Sequence, residues 1–192
     1  MGMELEWKYA AGKEDLTRLR EDFSGFSPIA METTYYDTPR GDLSARHITL
    51  RRRYENGRSI CTLKTPGQGD LRGEWDTEAA TIEEAIPVLC KLSGYGHLRV
   101  LLYDGVIPVC GARFTRLAVT LALADCTLEL ALDEGVLMGG GREVPLCEVE
   151  VEFKSGSQEA AHRFARELAA RYGLQPEPRS KYSRAKALAK GE

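Results

Sequence analysis

The sequence contains little of what metal–thiolate sites, membrane anchors and duplex nucleic-acid binders require. Its five cysteines include no Cys-x-x-Cys pair and its three histidines are scattered, which argues against a zinc site. No apolar run approaches the roughly 18 to 20 residues that span a bilayer, and no signal-peptide pattern opens the sequence. Lys and Arg number 26 against 29 Asp and Glu, so bulk attraction to nucleic acid is not expected. We therefore predict a cytoplasmic protein that binds neither membranes nor nucleic acid.

What the sequence does contain is a β-rich pattern with enough apolar residues, 43% of the 192-residue chain, to build a core. Alternation of apolar and polar residues predicts strands at 3–9, 33–37, 72–79, 113–123, 126–133 and 146–153. Asn56-Gly57 predicts a tight turn between two further strands, 47–54 and 58–64. Apolar residues at helical spacing predict helices at 13–23, 81–92 and 157–172, with a last short helix after Pro178. No linker or repeat divides the chain, so one domain is expected.

Charged side chains repeat at every second position along several strands, and so share one face of each strand. The rows are Glu4, Glu6 and Lys8; Arg51 and Arg53; Thr62 and Lys64; Arg72, Glu74 and Asp76; Glu129 and Asp133; and Glu148, Glu150 and Glu152. For any one strand, a solvated outer face is the simplest interpretation. Together, however, the rows place like charges side by side, which is repulsive unless opposite charge lies between them. A closed sheet with its charges inward and its apolar residues under helices would satisfy every row.

Such a charged interior matches the chemistry of a polyphosphate bound with a divalent metal ion. Arg and Lys hold phosphate oxygens, while Mg²⁺ and Mn²⁺ prefer carboxylate oxygens. Gly139-Gly140-Gly141 is not followed by Lys-Ser/Thr and precedes a strand, so it indicates a hairpin turn and not a phosphate-binding P-loop. No serine elbow or Cys–His pairing indicates a protein nucleophile.

Short motifs in the same order resemble the CYTH superfamily, the triphosphate tunnel metalloenzymes, over essentially the whole chain. Glu4-Leu-Glu6-Trp-Lys8 matches the ExExK signature, which a charged strand also matches by chance. The further matching segments are Tyr35-Tyr36-Asp37-Thr38-Pro39, Leu50-Arg51-Arg52-Arg53, Thr62-Leu63-Lys64, Arg72-Gly73-Glu74, Phe114-Thr115-Arg116, 130–135, 147–152 and Arg179-Ser180-Lys181-Tyr182. The segment 146–156 resembles bacterial inorganic triphosphatases of this superfamily in particular.

The resemblance implies an α+β fold, a closed eight-stranded antiparallel β-barrel (the triphosphate tunnel) flanked by helices. It implies a hydrolase acting on acid anhydrides in phosphorus-containing compounds, which cleaves inorganic triphosphate to pyrophosphate and phosphate with Mg²⁺ or Mn²⁺. The partner is then a small-molecule triphosphate, and a homodimer is allowed because family members are often dimers. The chain ends too soon for the CHAD domain of some relatives, so a single CYTH domain over 1–192 is expected.

The resemblance also implies roles for individual residues. The metal ligands would be Glu4, Glu6, Asp133, Glu148 and Glu150. The phosphate-binding residues would be Lys8, Arg51, Arg53, Lys64, Arg72, Arg116 and Lys181. The catalytic residues would be Lys8, Asp133 and Lys181, with Asp133 either a further metal ligand or the carboxylate that orients the attacking water. The roles of Glu74, Glu129 and Glu152 stay open.

Other functions also remain open at this point. Thiamine or nucleoside triphosphatases and class IV adenylate cyclases belong to the same superfamily, although no residue indicates adenine recognition. A non-catalytic module that binds polyphosphate is a further alternative, and stacked carboxylates facing a phosphate chain argue against it. Trp7, Trp75 and the Tyr35–Tyr36 pair are the aromatic residues that could stack on a substrate ring.

Overall fold

The computed structural model describes residues 2–3, 5–66 and 72–191, which form one antiparallel sheet with helices on both faces. The strands are β1 (Gly2–Met3), β2 (Glu6–Ala10), β3 (Ser27–Asp37), β4 (Thr49–Glu55), β5 (Arg58–Pro66), β6 (Arg72–Glu78), β7 (Ile107–Ala122), β8 (Cys126–Gly139), β9 (Arg142–Gly156) and β10 (Gln175–Pro176). The helices are α1 (Lys13–Asp22), α2 (Ile82–Ser93), α3 (Leu98–Leu101), α4 (Gln158–Tyr172) and α5 (Lys181–Lys190), with a 3₁₀ turn at Ser44–Arg46. The predicted metal ligand Glu4 lies outside the described residues.

The sheet is open, so the prediction of a closed eight-stranded barrel is wrong. Its ten strands follow the order β1-β6-β5-β4-β3-β7-β8-β9-β2-β10. β1 and β10 end this order, and no ladder in the described part of the chain joins the two ends. The N-terminal segment explains the difference, because Gly2–Met3 pairs with β6 whereas Glu6–Ala10 pairs with β9. Two short strands, β1 and β2, take the place of the single strand predicted at 3–9. The alternation of side chains in a sequence shows which residues share a face of a strand, but it does not show which strands pair with it.

The apolar face of the sheet packs against four helices in two separate clusters. Leu130 and Val149, with their neighbours on β8 and β9, form the first cluster with Leu168 of α4 and the apolar residues of α1. Leu50 of β4 and Leu63 of β5 form the second cluster with α2 and α3. Because each buried leucine contributes about 1.5–3 kcal/mol, this face supplies most of the packing that holds the sheet. The alternate residues of the same strands, which carry the charges, face the other side.

Helix α5 lies on the opposite, charged face of the sheet, in contact with β7 and β8. Ala185 of this helix packs with Phe114, Leu137 and Leu146 in a small third cluster. Gly139 allows the close approach, since a methyl group at that position would collide with the carbonyl oxygen of Ala185. The first turn of α5 is thereby held beside the charged rows.

Most predicted elements are confirmed in kind, although their lengths differ. Asn56 and Gly57 form the predicted turn between β4 and β5, with φ angles of 49° and 86°. Thr81 caps α2 by accepting a hydrogen bond of 3.2 Å from the backbone N–H of Glu84, and the helix continues through Pro87 to Ser93. Strands β7, β8 and β9 run 14 to 16 residues, longer than predicted. Among the described residues, no helix is both long and apolar enough to cross a membrane.

Candidate functional site

Three carboxylates of β8 and β9 meet on the charged face of the sheet. Asp133 lies opposite Glu148 in the ladder between these strands, and Glu150 follows Glu148 on the same face. One carboxylate oxygen of each residue lies within 4.8 Å of the other two. The side chains of Asp133 and Glu148 are fully buried, and that of Glu150 is 10% exposed. We call Asp133, Glu148 and Glu150 the acid cluster.

Three cationic side chains neutralise the acid cluster. Arg116 of β7 donates two hydrogen bonds to Asp133, each 2.8 Å long. The ammonium of Lys181, the first residue of α5, lies 2.6 to 2.8 Å from all three carboxylates of the cluster. Arg184, one turn further along α5, contacts Glu148. Burying three carboxylates together is costly unless each is paired, and these cations supply the pairing.

These neighbours also shift the pKa values of Glu148, Glu150 and Lys181. Burial raises the pKa of Glu148 to about 7, although Lys181 opposes this effect. Burial works against ionisation of Glu150 as well, but Lys181 and Arg116 both contact it and hold its pKa well below the ordinary range. For Lys181, burial lowers the pKa, and the three carboxylates outweigh that effect and raise it above the ordinary value. Burial therefore dominates at Glu148, whereas ion pairing dominates at Glu150 and Lys181.

A cavity of about 960 Å³ adjoins the acid cluster and is rich in positive charge. Seven cationic residues line it: Lys8, Arg51, Arg53, Lys64, Arg116, Arg166 and Lys181. Of its described lining residues, three carry a carboxylate: Glu6, Glu150 and Glu177. An excess of fixed positive charge around a concave space attracts anions, and Arg and Lys are the side chains that bind phosphate oxygens. The cavity can therefore accept a polyanion.

Arg51 and Arg53 of β4 are held in this cavity by different neighbours. The buried Arg53 guanidinium donates a hydrogen bond of 3.1 Å to the Thr33 hydroxyl. Arg51 lies 3.4 Å from Glu74, which is also 3.0 Å from the Lys64 ammonium. Burial lowers the pKa of Arg53, and the like charge of Arg51 adds to this effect. A bound anion would counteract both effects, because a nearby negative charge favours the charged form of Arg53.

The structure brings most of the predicted site residues together, in two adjacent groups. The acid cluster with its cations comprises Asp133, Glu148, Glu150, Arg116 and Lys181, and the cavity wall beside it includes Lys8, Arg51, Arg53 and Lys64. Glu6 also lines the cavity, but among the described residues it is not part of the acid cluster. Arg72 pairs with Pro66 at the start of β6, and Glu4 is not among the described residues.

The three carboxylates whose roles the sequence leaves open have identifiable partners. Glu74 contacts Arg51 and Lys64, so it fixes two cations of the cavity wall. Glu129 and Glu152 lie 3.8 Å and 2.8 Å from the Lys154 ammonium. These contacts assign Glu74 to the support of the cavity and the other two to a separate group of ion pairs.

The sequence does not predict two residues of α5 that contact this region. Arg184 contacts Glu148, and Tyr182 packs against Tyr35 of β3 with their ring centroids 5.1 Å apart. A signal for Arg184 exists, because it follows Lys181 by three residues and such residues share one face of a helix. Nothing comparable indicates Tyr182, since its partner lies on a distant strand.

The acid cluster fits a divalent metal ion in its donor chemistry. Mg²⁺ and Mn²⁺ take carboxylate oxygens as ligands, and these three groups are close enough to share one ion. The residues that would hold it are Asp133, Glu148 and Glu150. The ammonium of Lys181 lies where the three carboxylates converge, so an ion at that point would replace it.

The chain that forms this sheet and its acid cluster matches a known protein family. The family model described as CYTH domain matches residues 2–185, which include all ten strands and the acid cluster. The chain belongs to the CYTH family. This match confirms the resemblance that the sequence motifs indicate.

Similar proteins include a triphosphatase. An inorganic triphosphatase of Haemophilus influenzae is 28% identical over 175 residues, which are 88% of this chain and 50% of that relative, so the chain spans half its length. A solved Hippeastrum protein, assigned as an adenylyl cyclase and described as having a dominant triphosphatase activity, matches with a TM-score of 0.65 at 19% identity, over 98% of this chain and 96% of that one. A Pyrococcus horikoshii protein matches with a TM-score of 0.61 at 22% identity, over 98% of this chain and 99% of that one. These structural likenesses establish the fold.

Proposed function

We propose that this chain hydrolyses inorganic triphosphate to pyrophosphate and phosphate with the help of Mg²⁺ or Mn²⁺. The observation that carries the proposal is the adjacency of a buried carboxylate cluster and a cavity lined by seven cationic residues. Membership of the CYTH family and the identity shared with an inorganic triphosphatase support the same activity. We also propose that residues 1–192 act as a single domain.

The cationic wall of the cavity binds the phosphate chain in this proposal. Arg51 and Arg53 lie on one face of β4, and Lys64 lies on the neighbouring strand β5. Arginine forms paired hydrogen bonds with phosphate oxygens, and lysine contributes a point charge. Because Arg51 and Arg53 repel each other in the free protein, a phosphate group between them gains attraction and removes repulsion at once. Lys8, opposite Glu150 in the β2–β9 ladder, extends the wall towards the acid cluster.

Hydrolysis needs positioning and charge stabilisation more than covalent chemistry, because the transition state of phosphoryl transfer is loose. A divalent ion held by the acid cluster would supply charge neutralisation at the non-bridging oxygens and a bound water of lowered pKa. Lys8 and Lys181 stabilise negative charge on the phosphate oxygens as the terminal phosphorus–oxygen bond breaks. Asp133 positions Arg116 in this scheme, because that guanidinium engages both carboxylate oxygens of the fully buried aspartate.

Product analysis at steady state tests the proposal and separates the alternatives. Inorganic triphosphate with Mg²⁺ or Mn²⁺ should give phosphate and pyrophosphate in equal amounts, and a metal chelator should stop the reaction. Formation of cyclic AMP and pyrophosphate from ATP would replace the proposal with a class IV cyclase. A preference for thiamine triphosphate or ATP with phosphate release would indicate a different triphosphatase. Tight binding of triphosphate without hydrolysis, in the presence of Mg²⁺ or of Mn²⁺, would indicate a non-catalytic binding module.

A further inference from the structure

The Lys181 ammonium lies at the centre of the acid cluster. Its nitrogen is 2.6 Å from Glu148, 2.7 Å from Glu150 and 2.8 Å from Asp133. Only 7% of the lysine side chain is exposed. An ammonium group and a divalent metal ion use the same carboxylate lone pairs, so the two compete for this position.

The fold fixes this lysine in place. Lys181 begins α5, and Ser180 caps that helix by accepting a hydrogen bond of 3.0 Å from the backbone of Ser183. Further along α5, Lys186 donates a hydrogen bond of 3.3 Å to Asp37 of β3. The helix is therefore also tied to the sheet at a point beyond the acid cluster. With the backbone of Lys181 held in this way, its ammonium can leave the cluster only if the side chain changes conformation.

Charge balance indicates which cation would leave if a metal ion entered. The three carboxylates of the acid cluster contact three cations: Lys181, Arg116 and Arg184. A divalent ion added to this group leaves buried positive charge in excess unless a cation withdraws. Arg116 is tied to Asp133 by two hydrogen bonds, whereas Lys181 has a flexible four-carbon stem and also lines the cationic cavity. Lys181 is therefore the cation whose charged group can move out of the acid cluster and into the cavity.

We propose that Lys181 is an internal counter-ion which a divalent metal ion displaces from the acid cluster, and that the displaced ammonium turns to the phosphate chain in the cavity. Metal binding and triphosphate binding are then coupled, because each favours the position of Lys181 that the other requires. Without metal, the same ammonium keeps the three carboxylates from repelling one another. This inference rests on the metal site of the proposed function.

Binding of Mn²⁺ to the full chain, measured by electron paramagnetic resonance of the free ion without substrate, tests the displacement. Lys181→Gln removes the competing charge, so its Kd for Mn²⁺ should be lower than that of the wild type by about tenfold or more. Lys181→Arg keeps the charge and is the matched control, with a Kd within about threefold of the wild type. Equal or weaker Mn²⁺ binding by folded Lys181→Gln overturns the proposal.

A second experiment measures the coupling between metal binding and triphosphate binding. The Kd for Mn²⁺ is compared with and without imidotriphosphate, an analogue with nitrogen bridges, after correction for the complex that the ion and the analogue form alone. The analogue should tighten Mn²⁺ binding to the wild type about fivefold more than binding to Lys181→Gln, because only the wild type has an ammonium to relocate. An equal effect on both proteins overturns the coupling.

Two further outcomes keep this inference separate from folding defects and from the proposed function. If Lys181→Gln does not fold, Lys181→Met takes its place, since methionine keeps an unbranched side chain of similar length and removes the charge at the same position. The Kd of Lys181→Met for Mn²⁺ should also be lower than that of the wild type by about tenfold, and an unchanged value overturns the proposal. Tighter Mn²⁺ binding by Lys181→Gln, with no triphosphate hydrolysis by the wild type, supports the inference and defeats the proposed function. Hydrolysis by the wild type, with unchanged Mn²⁺ binding by Lys181→Gln, does the reverse.

Discussion

Arg116 and Asp133 are joined by two hydrogen bonds of 2.8 Å each across neighbouring strands of the sheet. The register explains this geometry, because the two residues lie directly opposite each other in the β7–β8 ladder. A guanidinium whose charge is already compensated by a buried carboxylate adds little to the attraction of a second anion. Arg51 and Arg53 on β4 are paired more loosely, each 3.4 Å from one carboxylate oxygen, of Glu74 and of Glu55. More of the positive charge available to a substrate therefore comes from β4.

Removing one carboxylate charge from the acid cluster should abolish most of the activity. In Glu148→Gln and Glu150→Gln the amide keeps the shape of the side chain and loses the charge that holds a divalent ion. We expect kcat/KM for triphosphate to fall by about a hundredfold or more in each variant. Glu129→Gln, on β8 beside Lys154, is the control and should stay within about twofold of the wild type. Undiminished turnover in both cluster variants, or in wild type with a chelator, would contradict the metal assignment.

Arg51 and Arg53 should be needed for triphosphate binding, and Arg52 between them should not. Arg52 faces the other side of β4, where it donates a hydrogen bond of 3.0 Å to the Ala80 carbonyl and lies over the Tyr54 ring. Arg51→Ala or Arg53→Ala should raise the Kd for triphosphate by about tenfold or more, while Arg52→Ala leaves it unchanged. Calorimetric titration without metal measures the Kd, and thermal unfolding checks the fold. If the first two variants unfold readily yet bind triphosphate normally, both arginines are structural.

Alternation in the sequence is enough to predict which side of each strand carries the site. It separates Arg51 and Arg53 from Arg52, and it places Glu148 and Glu150 on one face, as the structure has them. These predictions succeed because side chains alternate in any extended chain, whichever strand lies alongside.

Pairing between distant segments could not be predicted in the same way. The division of the N-terminal segment into β1 and β2, with partners on different strands, depends on hydrogen bonds that the pattern of side chains does not encode. The placement of Lys181 among the carboxylates depends on the packing of α5 against β7 and β8. Helical periodicity predicts the helix but not the strands that it contacts. A row of cations facing a substrate and a cation paired within the protein look the same in a sequence.

Gly139→Ala should loosen the contact between α5 and the sheet. The new methyl group would collide with the Ala185 carbonyl oxygen and lie 2.8 Å from the Ala189 nitrogen, so the helix must shift. Overpacking of this kind costs about 1–3 kcal/mol, which urea unfolding measures. Gly96→Ala meets no atom within 4 Å and should change the free energy of unfolding by less than about 0.5 kcal/mol. Equal stability of the two variants would show that α5 does not depend on this approach.

Asp37 should stabilise the fold in a pH-dependent way. Burial opposes its ionisation, but hydrogen bonds from Ser44, Leu43 and Thr38 and from Lys186 outweigh burial and lower its pKa from 3.8. A lowered pKa means that the ionised form stabilises the folded state. This contribution is complete above the unfolded-state pKa and is lost as the pH falls through the folded-state value.

The measurement is urea unfolding of the wild type and Asp37→Asn between pH 7 and pH 2.5. The variant should be less stable by about 1–3 kcal/mol at pH 7, and the two free energies of unfolding should converge below pH 4. Asp104→Asn, which removes an exposed partner of Arg40, should differ little from the wild type at either pH. A constant difference between wild type and Asp37→Asn at all pH values would mean that the carboxylate charge is not the cause.

The aromatic residues that could recognise a substrate ring are already engaged within the protein. Tyr36 and Trp75 pack in the apolar cluster with α2, on the side of the sheet away from the charges. Trp7 stacks on a histidine of α4 with ring centroids 5.5 Å apart, and Tyr35 packs on Tyr182. Trp7 and Tyr35 line the cavity, each with one ring contact already made within the protein.

Inorganic triphosphate should therefore be cleaved with a higher kcat/KM than ATP or thiamine triphosphate. The seven cationic side chains of the cavity suit the phosphate chain, and Trp7 and Tyr35 already pack within the protein. The organic part of either competitor should therefore gain little binding energy. A difference of about 3 kcal/mol in transition-state binding corresponds to roughly a hundredfold preference. Phosphate release with the three substrates in parallel, at saturating Mg²⁺ and then at saturating Mn²⁺, gives the ratio directly. Equal kcat/KM values would mean that a stacking or polar subsite for the organic group exists in this cavity, and Tyr35→Leu would then be the first variant to test for it.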